Sequence, residues 1–449
     1  MKAINFSAVV LIGGTSARAL ARDSICSAQS ATEFAITYGE PLASYVQACA
    51  GPPNGPPINQ LYKNTALATP QQTAIVSPNV DTLYMNQCYD ISRRDIAITI
   101  PEVDSNRYYG VSFYTPEGDN YLNLGTLAHT KAGKYLLTPA VSSTTAGEIV
   151  AEPNSTYQGT IYAPRTLGYL LIRIVLKDQD GDVKAVNKIQ QGFSTNTIER
   201  CGKPIGPELN SGLFANISHS KVENLLGLIA RFHETVPLTN DKPLLPTKTT
   251  SELLLAGIGR NGSYQRPSCV NLAEAYKAAN SSIGNYTRSL EFVKKLSNGW
   301  VMPRPSLIGT YGDNYKARVA VARFGYLALT NDQALYPVYL GEFALGTNES
   351  YTLRFAKKPP VTDVGFWSVT LYNLQKELVS NSINRYSLGD RSNLTFSDGT
   401  PVYGTSADVP FDILVQASEP PANWTSNWLP SPNTPGSFNM IRKPRALTR

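Results

Sequence analysis

Apolar residues in this chain recur at helical spacing, alternate with polar ones, or run together, and the three patterns divide it into segments. Residues 27–48 place Phe34, Ile36, Leu42, Tyr45 and Val46 at helical spacing, with Gly39 and Pro41 expected to break or kink the helix. Residues 49–59 (CAGPPNGPPIN) are rich in turn formers and read as a linker or rim loop. From about residue 73 to 193 the pattern is that of strands. DIAITI (95–100) alternates, RYYGVSFY (107–114) is an aromatic strand, and residues 134–137 form another. GYLLIRIVL (168–176) is nearly all apolar, as in a central strand buried on both faces. The stretch 138–158, rich in Ser, Thr and Ala, is expected to be an exposed loop.

A helical middle follows. KVENLLGLIARFHET (221–235) lines up Val222, Leu225, Leu226, Ile229 and Phe232 on one stripe. Residues 251–258 predict a short helix capped by Ser251, and residues 271–296 and 314–329 are also periodic. The last hundred residues return to alternation at 351–355 and 366–372, with Ser397-Asp398-Gly399-Thr400 as a turn between short strands. No internal repeat is visible. The patterns predict an α+β fold, mainly β: two β-rich domains, sandwich or jelly-roll-like, with a helical segment between them. The expected boundaries are residues 1–21 (signal peptide), 22–58 (N-terminal helix and linker), 59–200 (N-terminal β-rich domain), 201–345 (helical connection) and 346–449 (C-terminal β-sandwich-like domain).

Composition narrows the class. With 42% hydrophobic and 16% charged residues and 25 tyrosines, the 449-residue chain reads as globular and neither disordered nor a coiled coil. Its first residues read as an export signal: Lys2, an apolar core at 8–14 (AVVLIGG), and Ala19-Leu20-Ala21 as the cleavage site. Removal of residues 1–21 takes away Lys2 and Arg18 and no acid, lowering the formal charge from +6 to +4. That balance is too mild and too scattered to predict a nucleic-acid partner. No later run has the length of a membrane span. Cys26, Cys49, Cys88, Cys201 and Cys269 all follow the cleavage site, none in a metal-binding spacing, so up to two disulfides and one odd thiol are expected. Sequons at Asn154, Asn216, Asn261, Asn280, Asn285, Asn348, Asn393 and Asn423 fit a glycosylated, secreted protein.

Candidate chemistry is sparse. His129, His219 and His233 share no ligand spacing with one another or with acids, and there is no HExxH, GxSxG, P-loop or strand–GxGxxG–helix motif. No metal site and no cofactor are therefore expected. What remains is VSPNVDTLYMNQCYD (76–90), a turn followed by a strand, with Asp81 at the strand mouth. Asp81 reads either as a turn cap or as a general base. Arg385, in Asn384-Arg385-Tyr386, reads either as an anion clamp or as half of an internal pair.

The segment Asn79-Val80-Asp81-Thr82-Leu83-Tyr84 resembles the signature of a two-domain family, known as domain-of-unknown-function families 1254 (N-terminal) and 1214 (C-terminal). Further blocks fit in order: Arg107-Tyr108-Tyr109 with Gly125-Thr126; Phe366-Trp367-Ser368-Val369-Thr370-Leu371-Tyr372 with Asn384-Arg385-Tyr386-Ser387; and Asn427-Trp428-Leu429-Pro430. Gly299-Trp300 and Gly309-x-Tyr311-Gly312 also resemble it. At Arg442-Lys443-Pro444 the chain departs from the family, which has a tyrosine after the arginine. The resemblance implies two β-rich units and brings no settled reaction. The expectation is a secreted enzyme, free of metal and nucleotide, that converts a small organic molecule by acid/base chemistry. Hydrolysis, isomerisation and cyclisation are the candidate reactions, with tailoring of a secondary metabolite as one setting. Asp81 would be the base, Tyr84 the proton donor and Arg385 the anion clamp, with Asn79, Tyr109, Trp367, Tyr386 and Trp428 lining the substrate site. The alternative is a non-catalytic secreted module binding glycan or a protein partner. A homo-oligomer is compatible with either.

Overall fold

The computed structural model describes residues 13–50, 58–72, 77–152, 155–178, 181–200, 202–214, 221–233, 235–236, 245–259, 261–339, 343–345, 349–373, 375–432 and 436–442, with side chains from residue 27 onward at the N-terminal end. Helix α1 (Gly13–Ala50) opens the chain. The expected break at Gly39 and Pro41 does not occur: Pro41 lies inside one 38-residue helix. Gly39 instead lets another helix come close, since a Cβ there would collide with the Ile229 side chain.

Strands β1 (Tyr62–Lys63), β2 (Thr82–Asp90), β3 (Arg94–Ile100), β4 (Tyr109–Tyr114), β5 (Asn120–Gly125), β6 (Gly133–Pro139), β7 (Ile149–Val150), β8 (Gly159–Ala163), β9 (Leu167–Val175) and β10 (Ser194–Glu199) build the N-terminal domain, with helix α2 (Val183–Gly192) before the last. They form two five-stranded sheets, ordered β1-β2-β9-β4-β5 and β10-β3-β6-β8-β7. Alternation does the sorting. Leu83, Met85, Val111, Phe113, Ile172 and Ile174 of the first sheet meet Ile96, Ile98, Leu137 and Ile161 of the second in one core. Strand β9 is central and buried along nearly its whole length, as its sequence predicted, with Arg173 as its one charged residue. The expected loop at 138–158 contains the short strand β7.

Helices cover one end of the first sheet's other face. These are α1, the short α3 (Ser211–Phe214), α4 (Lys221–His233), α5 (Thr247–Leu255), α6 (Leu272–Arg288) and α7 (Tyr315–Gly325). Asn271 and Asn314 cap α6 and α7 by accepting backbone N–H groups of Ala273, Glu274 and Ala317. Ser251 is not a cap but lies inside α5, its hydroxyl bonded to the Thr247 carbonyl. Helix α1 is the hub, packed against α4, α5, α6 and α7. Two buried ion pairs fasten this layer to the N-terminal domain. Arg165 pairs with Glu117 and also donates to Tyr38 of α1, and Arg318 of α7 reaches Asp119 at 2.9 Å.

The C-terminal domain draws strands from beyond its expected start. Strands β11 (Val293–Lys295), β12 (Trp300–Pro303) and β13 (Val338–Tyr339) join β14 (Phe343–Leu345), β16 (Ser368–Tyr372), β17 (Ser387–Gly389) and β20 (Gly436–Arg442) in one seven-stranded sheet. A second, three-stranded sheet of β15 (Ser350–Phe355), β18 (Phe411–Gln416) and β19 (Trp428–Pro430) packs on it through Trp367, Val369, Ile413, Val415 and Leu429. The whole is a mixed α+β protein with substantial sheets, and no described helix is long and apolar enough to cross a membrane.

A disulfide, Cys49–Cys88, joins the end of α1 to β2 across 39 residues. Cys269 is free and exposed, and the side chains of Cys26 and Cys201 lie outside the described residues. Closing a loop of that length removes chain entropy worth about 4 kcal/mol from the unfolded state. The double variant Cys49→Ala/Cys88→Ala should unfold at markedly lower temperature than wild type under non-reducing conditions; an unchanged Tm would show that the bridge contributes nothing.

Candidate functional site

The face of the first sheet that looks away from the sandwich core can be read as rows across β2, β9, β4 and β5. Register puts Tyr84, Arg173, Gly110 and Gly125 in one row and Asn86, Leu171, Ser112 and Asn123 in the next. Beyond these, Cys88, Tyr169 and Tyr114 form a row buried under the helices. On the other side Val175 and Tyr108 pack against Phe366 of the C-terminal domain. Each end of the face is thus closed by a different body. Between them Tyr84, Asn86, Leu171 and Asn123 remain half-buried. A half-open polar row at the junction of domains is where small-molecule sites concentrate.

Arg173 stands at the middle of this opening and is buried. It donates to Ser112 Oγ (3.3 Å), Tyr114 Oη (3.2 Å) and the Leu327 carbonyl (3.0 Å). Its guanidinium carbon lies 5.7 Å from the Tyr84 ring centroid. Gly110 makes room beside it, for a Cβ there would come within 2.9 Å of the Tyr108 hydroxyl. The segment after α7 forms the roof: besides Leu327, Thr330 Oγ1 accepts from Asn123 Nδ2 at 3.0 Å. Asn86 Nδ2 donates to Tyr169 Oη at 2.8 Å. Burial pushes the phenols of Tyr169 and Tyr114 up, Tyr169 to about 12, so both are neutral hydrogen-bonding groups at physiological pH.

The residues singled out in the sequence separate. Tyr84 lines the opening. Asp81 does not: it is fully buried, its Oδ2 accepts from Ser368 Oγ at 2.6 Å and its Oδ1 from Arg391 Nη2 at 2.7 Å. Asn79 is the turn-former beside it, taking the Asp81 N–H at 2.7 Å. Arg391 also donates to the Leu176 carbonyl at 2.8 Å and lies 4.3 Å from the Phe366 ring centroid. Together with Tyr372 Oη donating to the Pro78 carbonyl (2.8 Å), these contacts clamp the C-terminal domain onto the start of β2. Arg385 is half-buried and donates to the Thr425 and Trp428 carbonyls, tying a loop to β19. Tyr109 belongs to the sandwich core, and Trp367 is buried in the C-terminal core. Trp428 is buried, its indole N–H on the Gln416 carbonyl, and Tyr386 packs beside Val80 and Tyr372. Asn261, Asn285, Asn393 and Asn423 are exposed, and Asn280 is half-buried with its Oδ1 accepting from Arg323; Asn154, Asn216 and Asn348 lie outside the described residues.

Sequence reasoning missed Arg173, Arg391 and Ser368. The signal for Arg173 was present: a lone charge in GYLLIRIVL, a strand expected to be buried on both faces. A separate cleft of about 300 Å³ is bordered by Glu208, Asn210, Leu213, Arg231 and Asn261. Among the described residues no cluster of three His, Cys, Asp or Glu side chains could hold a metal ion.

Two family models match the chain, in its N-terminal and C-terminal parts. Residues 58–197 match the model described as "Protein of unknown function (DUF1254)" and residues 340–444 the one described as "Protein of unknown function (DUF1214)". The VPA0106 protein of Vibrio parahaemolyticus shares the fold, with a TM-score of 0.60 at 18% identity over 95% of this chain and 96% of that one. An uncharacterized protein from Burkholderia cenocepacia aligns over 97% of this chain and 95% of its own at 10% identity, with a TM-score of 0.42. No curated protein matches the chain.

Two predictions test the clamp. Removing one partner of a buried pair strands the other, so Asp81→Asn should lose about 3–5 kcal/mol, far more than a surface turn cap would. Chemical denaturation measures this, and a double-mutant cycle with Arg391→Met should return a coupling energy well above zero. The second concerns Asp390, which accepts the Trp367 N–H at 2.8 Å and lies 3.8 Å from Arg391 Nε. Burial raises its carboxyl to about 6, the Asp81 carboxylate adding to the rise while Arg391 and the Trp367 N–H oppose it. A carboxyl raised on folding binds its proton more tightly in the folded state, so its contribution is full below about pH 4 and is lost as pH climbs through 6. Relative to Asp390→Asn, wild type should therefore lose on the order of 2–3 kcal/mol between pH 4 and 7. Parallel pH–stability curves would refute the shift.

Proposed function

From the premise that the chain belongs to the family pairing DUF1254 with DUF1214, we propose a secreted enzyme that converts a small organic molecule by acid/base chemistry at the opening over Tyr84. The reading needs neither metal nor nucleotide. It rests on one observation: polar, half-buried positions gathered where the N-terminal sheet, the helical layer and the C-terminal domain meet. Tyr84 keeps the role of proton donor. A phenol whose ring lies near a guanidinium can hand its proton to a substrate that the fixed positive charge holds in place. Hydrolysis, isomerisation and cyclisation all use such a step. Leu171 and the Tyr84 ring supply apolar area for the body of the molecule. Asp81 has no part in this chemistry, because both its oxygens are engaged in the clamp. Export is supported by the Cys49–Cys88 bridge and by exposed sequon asparagines, and tailoring of a secondary metabolite is one setting for such an enzyme.

The test is an untargeted metabolite incubation followed by mass spectrometry. Wild type should consume a compound and release a product. Tyr84→Phe keeps the ring and loses the proton, so turnover should fall roughly 10²–10⁴-fold at an unchanged Tm. Full activity in Tyr84→Phe would remove Tyr84 from the mechanism, and binding without conversion would replace the enzyme by a carrier.

A further inference from the structure

Four arginines of the described chain are nine-tenths or more buried: Arg107, Arg165, Arg173 and Arg318. Three have carboxylate partners, Asp182 for Arg107, Glu117 for Arg165 and Asp119 for Arg318. Arg173 has none among the described residues. Its partners are two hydroxyls and one backbone carbonyl, all neutral. The Tyr114 phenol does not supply the missing charge, since burial raises its pKa and keeps it protonated. A buried guanidinium without a counter-charge is costly, and an anion arriving from outside would offset that cost.

We propose that Arg173 is the anchor for a carboxylate carried by the substrate, so that the molecule handled at this opening is an organic monoacid. The inference rests on the small-molecule reading above and adds the class of ligand to it. Charge fixes the class. One guanidinium in otherwise neutral surroundings balances one negative charge, which matches a carboxylate and leaves a phosphate dianion over-charged. Geometry fixes the polarity of binding. Arg173 sits under the roof at Leu327 while Tyr84, Asn86 and Leu171 are the half-open positions beside it. The acid group therefore enters first, towards β4, and the body of the molecule lies over β2 and β9.

Thermal shift at constant ionic strength tests this on the whole protein. The probes are a panel of aliphatic and aromatic monocarboxylates, the matching neutral amides (benzamide against benzoate, for example) and inorganic phosphate. The expected result is a saturable rise in wild-type Tm, on the order of several degrees at a hundredfold excess over Kd, for at least one carboxylate and for neither its amide nor phosphate. Arg173→Met should fold and lose the shift. The carboxylate–amide comparison on wild type stands even if that variant fails to fold. No shift with any carboxylate, an equal shift with the amide, or a shift that survives in folded Arg173→Met would overturn the proposal. Its failure is distinct from that of the enzyme reading. Conversion of a neutral compound that depends on Tyr84 would discard the acid anchor and keep the enzyme, whereas carboxylate binding without turnover would do the reverse.

Discussion

A strand that is buried on both sides must be covered on both sides, and β9 imposes that demand on this molecule. The second five-stranded sheet covers one face. No single element covers the other. The helices gathered around α1 close it at the Tyr169 end, and the C-terminal domain closes it at the Val175 end. Both covering bodies exist, in energetic terms, to take this face out of water. Where they meet, the sheet changes from apolar to polar, with Tyr84, Asn86, Ser112, Asn123 and Arg173. The site is thus a property of incomplete coverage, placed by the same burial that builds the fold.

How buried charge is handled separates structure from function here. Arg107 with Asp182, Arg165 with Glu117, Arg318 with Asp119 and Arg391 with Asp81 are matched pairs, and each joins segments distant in sequence. Such pairs add less stability than their number suggests, because desolvation offsets most of the attraction. They add register: each accepts only its own partner in its own place. Arg173 departs from the rule, and it does so at the half-open row.

Much of the fold could be read from the sequence, because alternation and helical stripes report burial directly. The strands at 95–100 and 168–176, the helix at 221–235 and the return to β after residue 350 are all present within a residue or two. Local breakers were the less faithful guide. Pro41 sits in an unbroken helix because α1 packs against α4, α5, α6 and α7, and that tertiary packing outweighs one lost backbone bond. The site was less legible. Asp81 and Tyr84 stand in one short motif, yet the chain turns from loop to strand between them, and they end up serving different things. The partners that decide this, Ser368 and Arg391, lie 287 and 310 residues further on, beyond the reach of any local pattern.

That separation has a kinetic meaning. The N-terminal sandwich and the C-terminal sandwich each own a core and can collapse independently, but the carboxylate of Asp81 cannot be withdrawn from water until Arg391 has been synthesised, folded into its hairpin and brought across. Contacts this long in sequence form late, because the loop they close is entropically expensive. The beginning of β2 therefore stays hydrated while the rest of its sheet condenses, and docking of the last domain completes the first. The clamp thus makes the end of the chain part of the environment in which β2 begins, and a chain that lacks Arg391 leaves Asp81 without its cation.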